Sequence, residues 1–305
     1  MACYDLKIGF KCNNDCRHCV IAGKRSKGSL TEDQVFSLID SLPPETDSVQ
    51  VTGGEPSTYD YLPEILKRIK EKDLDVVIQT NGTGFANPEF CAKCAPFIDH
   101  AHVALHSSIP EIHDFIVQSP GMWERTVQGI RNLKSYENIH LTTQTVLSRY
   151  NILSIYNTFD FIQENFPGTI MSFTYPHLMG NAWKNRMEVC FRYSDYYLEI
   201  QRILARFHSL MFVESIPPCY LHPYKDAIEH SLEGDILSQE CGRIGVDFSD
   251  GFQVKDYNIL NVEDHRKGPL CKECVYNDRC IGVWKEYLDL FKDCLDLYPI
   301  KEEVK

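Results

Sequence analysis

Short apolar runs alternate along this chain with longer amphipathic ones. Residues 4–10, 48–52, 75–80, 102–106, 140–147 and 169–175 are short runs with strand character. Between them, apolar residues recur at helical spacing over 31–41, 62–71, 110–117, 122–133 and 155–165. Thr31, with Gln34 three positions on, has the form of a capping box and predicts a helix start. Repeated βα units pair their strands in parallel with right-handed crossovers. They either open out doubly wound or curl into a barrel, and chemistry gathers at the C-terminal strand ends.

The chemistry-bearing residues fall at those ends. Cys12, Cys16 and Cys19 follow the first strand, and Gly53, Gly54, Glu55 and Pro56 follow the second. Thr80, Asn81 and Gly82 close the third, and His106, Ser107 and Ser108 the fourth. After residue 175 the pattern changes. Residues 185–210 read as helix, with Tyr193, Tyr196 and Tyr197 as a packing face, and 212–220 as a strand running into Pro217 and Pro218. Residues 244–254 read as a hairpin turned at Ser249, Asp250 and Gly251, and 268–296 as a cysteine-bearing loop entering a helix.

Composition narrows the function classes. A formal net charge of −12 argues against a large nucleic-acid footprint, while a small molecule or a peptide with basic residues is compatible with it. No apolar run reaches membrane-spanning length and no signal-peptide pattern opens the chain, so the expectation is a cytoplasmic protein with no membrane partner. In that setting thirteen cysteines point to metal or redox chemistry rather than disulfides.

Cys12, Cys16 and Cys19 form CxxxCxxC, a local set of three sulfurs. Three thiolates around a [4Fe–4S] cluster leave one iron open to a ligand, whereas four would close the site. Directly after a first strand, and followed by GGEP and TNG at later strand ends, this spacing resembles the radical S-adenosylmethionine superfamily over about the first 180 residues. GGEP alone would make an ordinary turn. The resemblance implies that the open iron chelates the methionine end of S-adenosylmethionine and that one electron breaks the sulfonium bond, giving a 5′-deoxyadenosyl radical. It further implies adenine contact by His18, ammonium binding by Gly53, Gly54, Glu55 and Pro56, and cofactor contacts by Thr80, Asn81 and Ser107. Ala104 stands where the family often carries serine within the fourth strand. The implied fold is α/β, a partial barrel of six βα units over 1–210 followed by a small cysteine-rich iron–sulfur cap over 211–305.

Cys271, Cys274 and Cys280 form CxxCxxxxxC, with Cys219 and Cys241 as further ligand candidates. The spacing resembles the auxiliary-cluster extensions called SPASM, with two clusters, and twitch, with one. Trp284 and the pair Lys255 and Asp256 stand where the two-cluster pattern wants cysteine, so one auxiliary [4Fe–4S] cluster is expected. The preferred ligands are Cys219, Cys271, Cys274 and Cys280, with Cys241 as substitute; a structural zinc on the same thiols is the alternative. Cys91 and Cys94, like Cys3, Cys190 and Cys294, read as small buried hydrophobes. Tyr175 and His177, after the sixth strand, are the candidate catalytic residues, and Glu111 and His113 read as helix residues without a special role.

Family resemblance favours modification of a peptide or protein side chain or backbone, with flavodoxin or ferredoxin as electron donor. A small-molecule radical enzyme of cofactor or nucleoside biosynthesis is the alternative, and a structural or sensory metal protein the second. A sensor would not need a sulfonium-binding GGEP segment.

Overall fold

A computed structural model describes residues 2–240, 242–245, 264–292 and 296–304. One eight-stranded sheet organises it. Its strands are β1 (Ala2–Lys7), β2 (Thr46–Thr52), β3 (Asp75–Thr80), β4 (His100–Ala104), β5 (His140–Val146), β6 (Ile170–Thr174), β7 (Met211–Glu214) and β8 (Gly242–Gly245). The order is β7-β6-β5-β4-β3-β2-β1-β8, and every pairing is parallel. The helices are α1 (Glu32–Asp40), α2 (Leu62–Lys70), α3 (Pro88–Cys94), α4 (Pro110–Val117), α5 (Met122–Lys134) and α6 (Ile155–Asn165). The later ones are α7 (Gly180–Lys184), α8 (Arg186–Val189), α9 (Tyr197–Phe207), α10 (Pro218–Leu221), α11 (Lys225–Glu240) and α12 (Lys285–Phe291). This is the α/β architecture the pattern predicts.

The two faces of the sheet differ because side chains alternate along a strand. Leu6, Val49, Val51, Val76, Ile78, Ala101 and Val103 are fully buried on the helix-covered face. The opposite, inner face is polar and hydrogen-bonded to itself. Gln50 donates to Asp5 (2.8 Å), Thr52 to Gln79 (3.2 Å), and Gln79 to Gln144 (3.0 Å), a bond that reaches from β3 to β5 over β4. Ala104, paired with Gln144 in register, adds no bulk beneath it. The capping box at α1 is present, Gln34 N donating to Thr31 and Thr31 N to Gln34.

Two predicted elements differ. The 185–210 helix is broken: α8 ends at Val189, and Cys190 is extended because Arg149 Nε donates to its carbonyl (2.6 Å) while Tyr175 bonds both backbone groups of Phe191. The 212–220 strand stops at Glu214, where Ser215 adopts φ +57° and Pro217 and Pro218 lead into α10. Gly242–Gly245, which includes the first two residues of the predicted 244–254 hairpin, forms β8, parallel to β1; the rest of that hairpin lies outside the described residues, as do Cys241 and Cys294.

The C-terminal segment adds a two-stranded antiparallel pair, β9 (His265–Arg266) and β10 (Val283–Trp284). It docks through aromatic packing: Tyr287 of α12 stacks on Tyr193 (4.8 Å) and meets Tyr175 edge-on (5.7 Å). Among the described residues, no helix is long and apolar enough to cross a membrane.

Candidate functional site

The loop after β1 carries Cys12, Cys16 and Cys19, and it is tied to the ends of β2 and β3. Gly54 N donates to Gly9 O and Glu55 N to Lys11 O, both at 2.8 Å. The approach requires glycine: Gly53 has φ +136°, and a β-carbon there would strike the Gly9 carbonyl, as one on Gly54 would strike that of Lys11. Pro56 is buried and opens a short 3-10 turn. Asn81 Nδ2 donates to Asn13 Oδ1 (2.7 Å), and Asn13 Nδ2 to Thr83 Oγ1 (2.8 Å), so the cysteine loop is also held from β3.

Glu55 is almost fully buried. Its Oε1 accepts from Ser57 N (3.0 Å), Ser57 Oγ (2.6 Å) and Thr80 Oγ1 (2.6 Å), and its Oε2 from Asn81 N (2.6 Å). Burial raises its pKa above the ordinary carboxylate value, against hydrogen bonds that favour the anion. Its side chain therefore joins two strand ends.

The three thiols are half-buried. Burial pushes Cys12 up to about 11 and raises Cys16 and Cys19 as well, while the Arg25 guanidinium lowers all three. A thiolate at this depth calls for a cation, which a metal supplies. A tetrahedral zinc, with Zn–S near 2.3 Å, needs sulfurs about 3.8 Å apart. Among the described residues only Cys16, His18 and His106 bring three candidate donor atoms within 4.8 Å of one another. The sulfurs of Cys12, Cys16 and Cys19 do not all come that close to one another.

His18 is buried and meets His106 edge-on at 4.5 Å; His106 stacks on His113 at 5.6 Å. His18 Nδ1 is buried without a hydrogen-bond partner, as are both side-chain polar atoms of Asn14. These are groups left for a ligand. Burial draws His18 and His113 down to about 4, so both are neutral at pH 7. Sequence reasoning placed His106 at the fourth strand end without a role and read His113 as a helix residue with no special role, so the contact of His18, His106 and His113 was not foreseen. The usable signal was that His113, Ile116 and Val117 share one helical face, which is buried.

The family model described as "Radical SAM superfamily" matches residues 6–162, more than half of the chain. The chain belongs to the radical SAM superfamily. An AdoMet-dependent heme synthase of Methanosarcina barkeri is 32% identical over 165 residues, 53% of this chain and 46% of that protein. A probable GTP 3′,8-cyclase of Thermococcus kodakarensis is 30% identical over 172 residues, 54% of each. The chain thus spans about half the length of these curated relatives. In fold it is similar to Streptococcus suis SuiB bound to S-adenosylmethionine, with TM-score 0.65 at 13% identity, covering 98% of this chain and 76% of that one. Membership of the radical SAM superfamily implies a [4Fe–4S] cluster and S-adenosylmethionine.

The remaining candidates fall in three places in this radical SAM chain. Ser107 is fully buried, and its hydroxyl accepts from Ile109 N (3.1 Å) at the entry to α4. Tyr175 is buried in the aromatic core, its hydroxyl bonded to the Phe191 carbonyl at 2.9 Å, and burial raises its pKa well above that of a free phenol. His177 lies flat on Trp284 (3.8 Å, 5° between planes), whose ring also packs on His265 (4.0 Å).

Cys219, Cys271, Cys274 and Cys280 line one cavity with Lys267, Tyr276 and Tyr298. Gly282, at φ +96°, brings its N–H to Cys280 Sγ at 3.3 Å. Burial and the neighbouring thiols raise Cys219 well above an ordinary thiol. Cys91, Cys94 and Cys190 are core residues, whereas Cys3 is half-buried.

Proposed function

We propose that Cys12, Cys16 and Cys19 hold the [4Fe–4S] cluster and that Gly53, Gly54, Glu55 and Pro56, with His18, Thr80, Asn81 and Ser107, form the S-adenosylmethionine pocket beside it. When bound, this pair supplies a 5′-deoxyadenosyl radical that takes a hydrogen atom from the substrate. The observation that carries the reading is the fastening of the cysteine loop to the glycine loop by the two 2.8 Å backbone bonds and to Asn81 through Asn13. Glu55 keeps the ends of β2 and β3 in register, leaving backbone carbonyls of the loop to receive an ammonium. His18 offers a neutral imidazole with a free nitrogen, suited to an adenine edge.

Residues 1–210 would form the radical domain and 211–305 the auxiliary one, with Cys219, Cys271, Cys274 and Cys280 around a second cluster. Four cysteines lining one cavity support a metal centre there, a cluster by the resemblance of the spacing, with a structural zinc as the alternative. A ferredoxin or flavodoxin is the expected electron donor.

For substrate, modification of a peptide or protein is the first reading, because the fold likeness to SuiB, also solved with the precursor peptide SuiA, extends through the cysteine-rich segment. The names of the curated relatives favour a second reading, a small molecule.

The test is anaerobic reconstitution, then dithionite and S-adenosylmethionine, assaying 5′-deoxyadenosine and iron in wild type and in the Cys12→Ala, Cys16→Ala, Cys19→Ala triple variant. Wild type should form deoxyadenosine; the variant should form none yet retain roughly four irons. Zinc alone and no deoxyadenosine in wild type would overturn the radical assignment.

A further inference from the structure

The inner face of the sheet between β5 and β7 holds two polar side chains, Ser172 and Glu214, without a hydrogen-bond or ion-pair partner among the described residues. Met171, Phe173, Met211 and Val213 are buried on the helix-covered side, so Ser172, Thr174, Phe212 and Glu214 stand on the inner one. Ser172 is 4% exposed and its hydroxyl has no partner. It neighbours Gln144 in register, and Thr174 neighbours Glu214.

Glu214 opens to the space in front of the sheet, and among the described residues its carboxylate makes no hydrogen bond or ion pair. The surrounding protein raises its pKa by desolvation, with no cation to offset that. Its backbone is fixed: Tyr175 N donates to its carbonyl (3.2 Å), and the next residue, Ser215, is held at φ +57°, an uncommon conformation for serine. Among the described residues, no lysine or arginine stands on the inner face of β5, β6 or β7, so these strands offer a phosphate no counter-ion.

We propose that this corner receives a protonated amine of the substrate, with Glu214 as counter-ion and the Ser172 hydroxyl as hydrogen-bond acceptor. The proposal rests on the barrel interior being the reaction chamber. A bound ammonium gives the buried Ser172 hydroxyl a donor and pairs with the exposed Glu214 carboxylate on the neighbouring strand. A net charge of −12 draws cations toward the molecule. The amine belongs either to a lysyl side chain of a peptide or to a free small molecule.

The test is calorimetric titration of reconstituted enzyme, with S-adenosylmethionine present, using four probes: acetyl-Ala-Lys-Ala-amide, its norleucine counterpart, 1,4-diaminobutane and GTP. At least one amine probe should bind and the norleucine peptide and GTP should not; preference for the peptide or the diamine identifies the source of the amine. Glu214→Gln should weaken the amine probe roughly ten-fold or more, and Ser172→Ala roughly five-fold. Melting temperature and iron content check that each variant is folded; if Glu214→Gln does not fold, Ser172→Ala decides. The proposal is overturned if no amine probe binds, if GTP binds better, or if folded variants keep wild-type affinity. Wild-type deoxyadenosine formation without any probe tests the radical reading separately, so the two failures are distinguishable.

Discussion

Glu55 and Asn81 meet at 2.6 Å, the carboxylate at the end of β2 accepting the backbone N–H at the end of β3. Together with the Thr80 hydroxyl on the other oxygen, this joins two neighbouring strand ends through one buried side chain. Glu55→Ala would leave the buried Thr80 hydroxyl and the Asn81 N–H without an acceptor, a cost of about 2–4 kcal/mol. The amide introduced by Glu55→Gln could keep the three bonds made to Oε1 but would turn its N–H₂ toward the Asn81 N–H. The expected order of melting temperature and of S-adenosylmethionine affinity is wild type, then Glu55→Gln, then Glu55→Ala. If Glu55→Ala melted with wild type and lost only cofactor binding, the side chain would be a ligand group and not the join described.

His113 gives the molecule an acid-sensitive element. Its Nδ1 accepts from His106 N (3.2 Å), its Nε2 is buried without a partner, and burial draws its pKa from 6.5 to about 4. Below pH 6.5 the unfolded chain takes up a proton that the folded one refuses. Its contribution is therefore complete above that pH and is lost as pH falls toward 4, amounting to about 3 kcal/mol. His113→Asn keeps an acceptor for His106 and removes the titration. Urea unfolding across this range should show a shallower acid limb in the variant, and superimposable limbs would refute the assignment.

What the sequence made legible was whatever local chemistry dictates. The β3, α4 and α6 boundaries coincide with the predicted ones; 75–80 is rich in β-branched residues and 110–117 opens on proline. The placing of Cys12, Gly53 and Asn81 at one rim follows from βα order. What stayed hidden depends on distant partners. Cys190 leaves the helix because Arg149 and Tyr175 claim the backbone there, and β8 joins β1 from a segment more than 230 residues away in sequence. Of the four hydrogen bonds Glu55 accepts, those from Thr80 and Asn81 also depend on chain distant in sequence. Glu214 gave no motif at all, since only the face it occupies on β7 makes it notable.

His177 occupies a rim position, yet its ring lies flat on Trp284, the residue standing where a two-cluster extension would have cysteine. If its role is to seat β10 against the barrel, an aromatic replacement should suffice. His177→Ala should lower stability by about 0.5–1.5 kcal/mol and raise hydrogen exchange at Val283 and Trp284, while His177→Phe restores both. An acid or base role predicts the reverse: His177→Phe would be stable but would no longer form product from a coupled substrate.

The four cysteines on the C-terminal cavity separate a cluster from zinc by metal content alone. Cys219 arrives from α10 and the others from the loop before β10, so a bound group would cross-link segments about 50 residues apart in sequence. With a second cluster, reconstituted wild type should hold roughly eight irons and Cys271→Ala/Cys274→Ala roughly four. The cluster left in that variant should still change its electron paramagnetic resonance spectrum on adding S-adenosylmethionine, since Cys12, Cys16 and Cys19 leave an iron open. With zinc, wild type would hold roughly four irons and one zinc, and the double variant would lose only the zinc. Removal of either group should also lower the melting temperature, because binding energy at a site absent from the unfolded chain is folding energy.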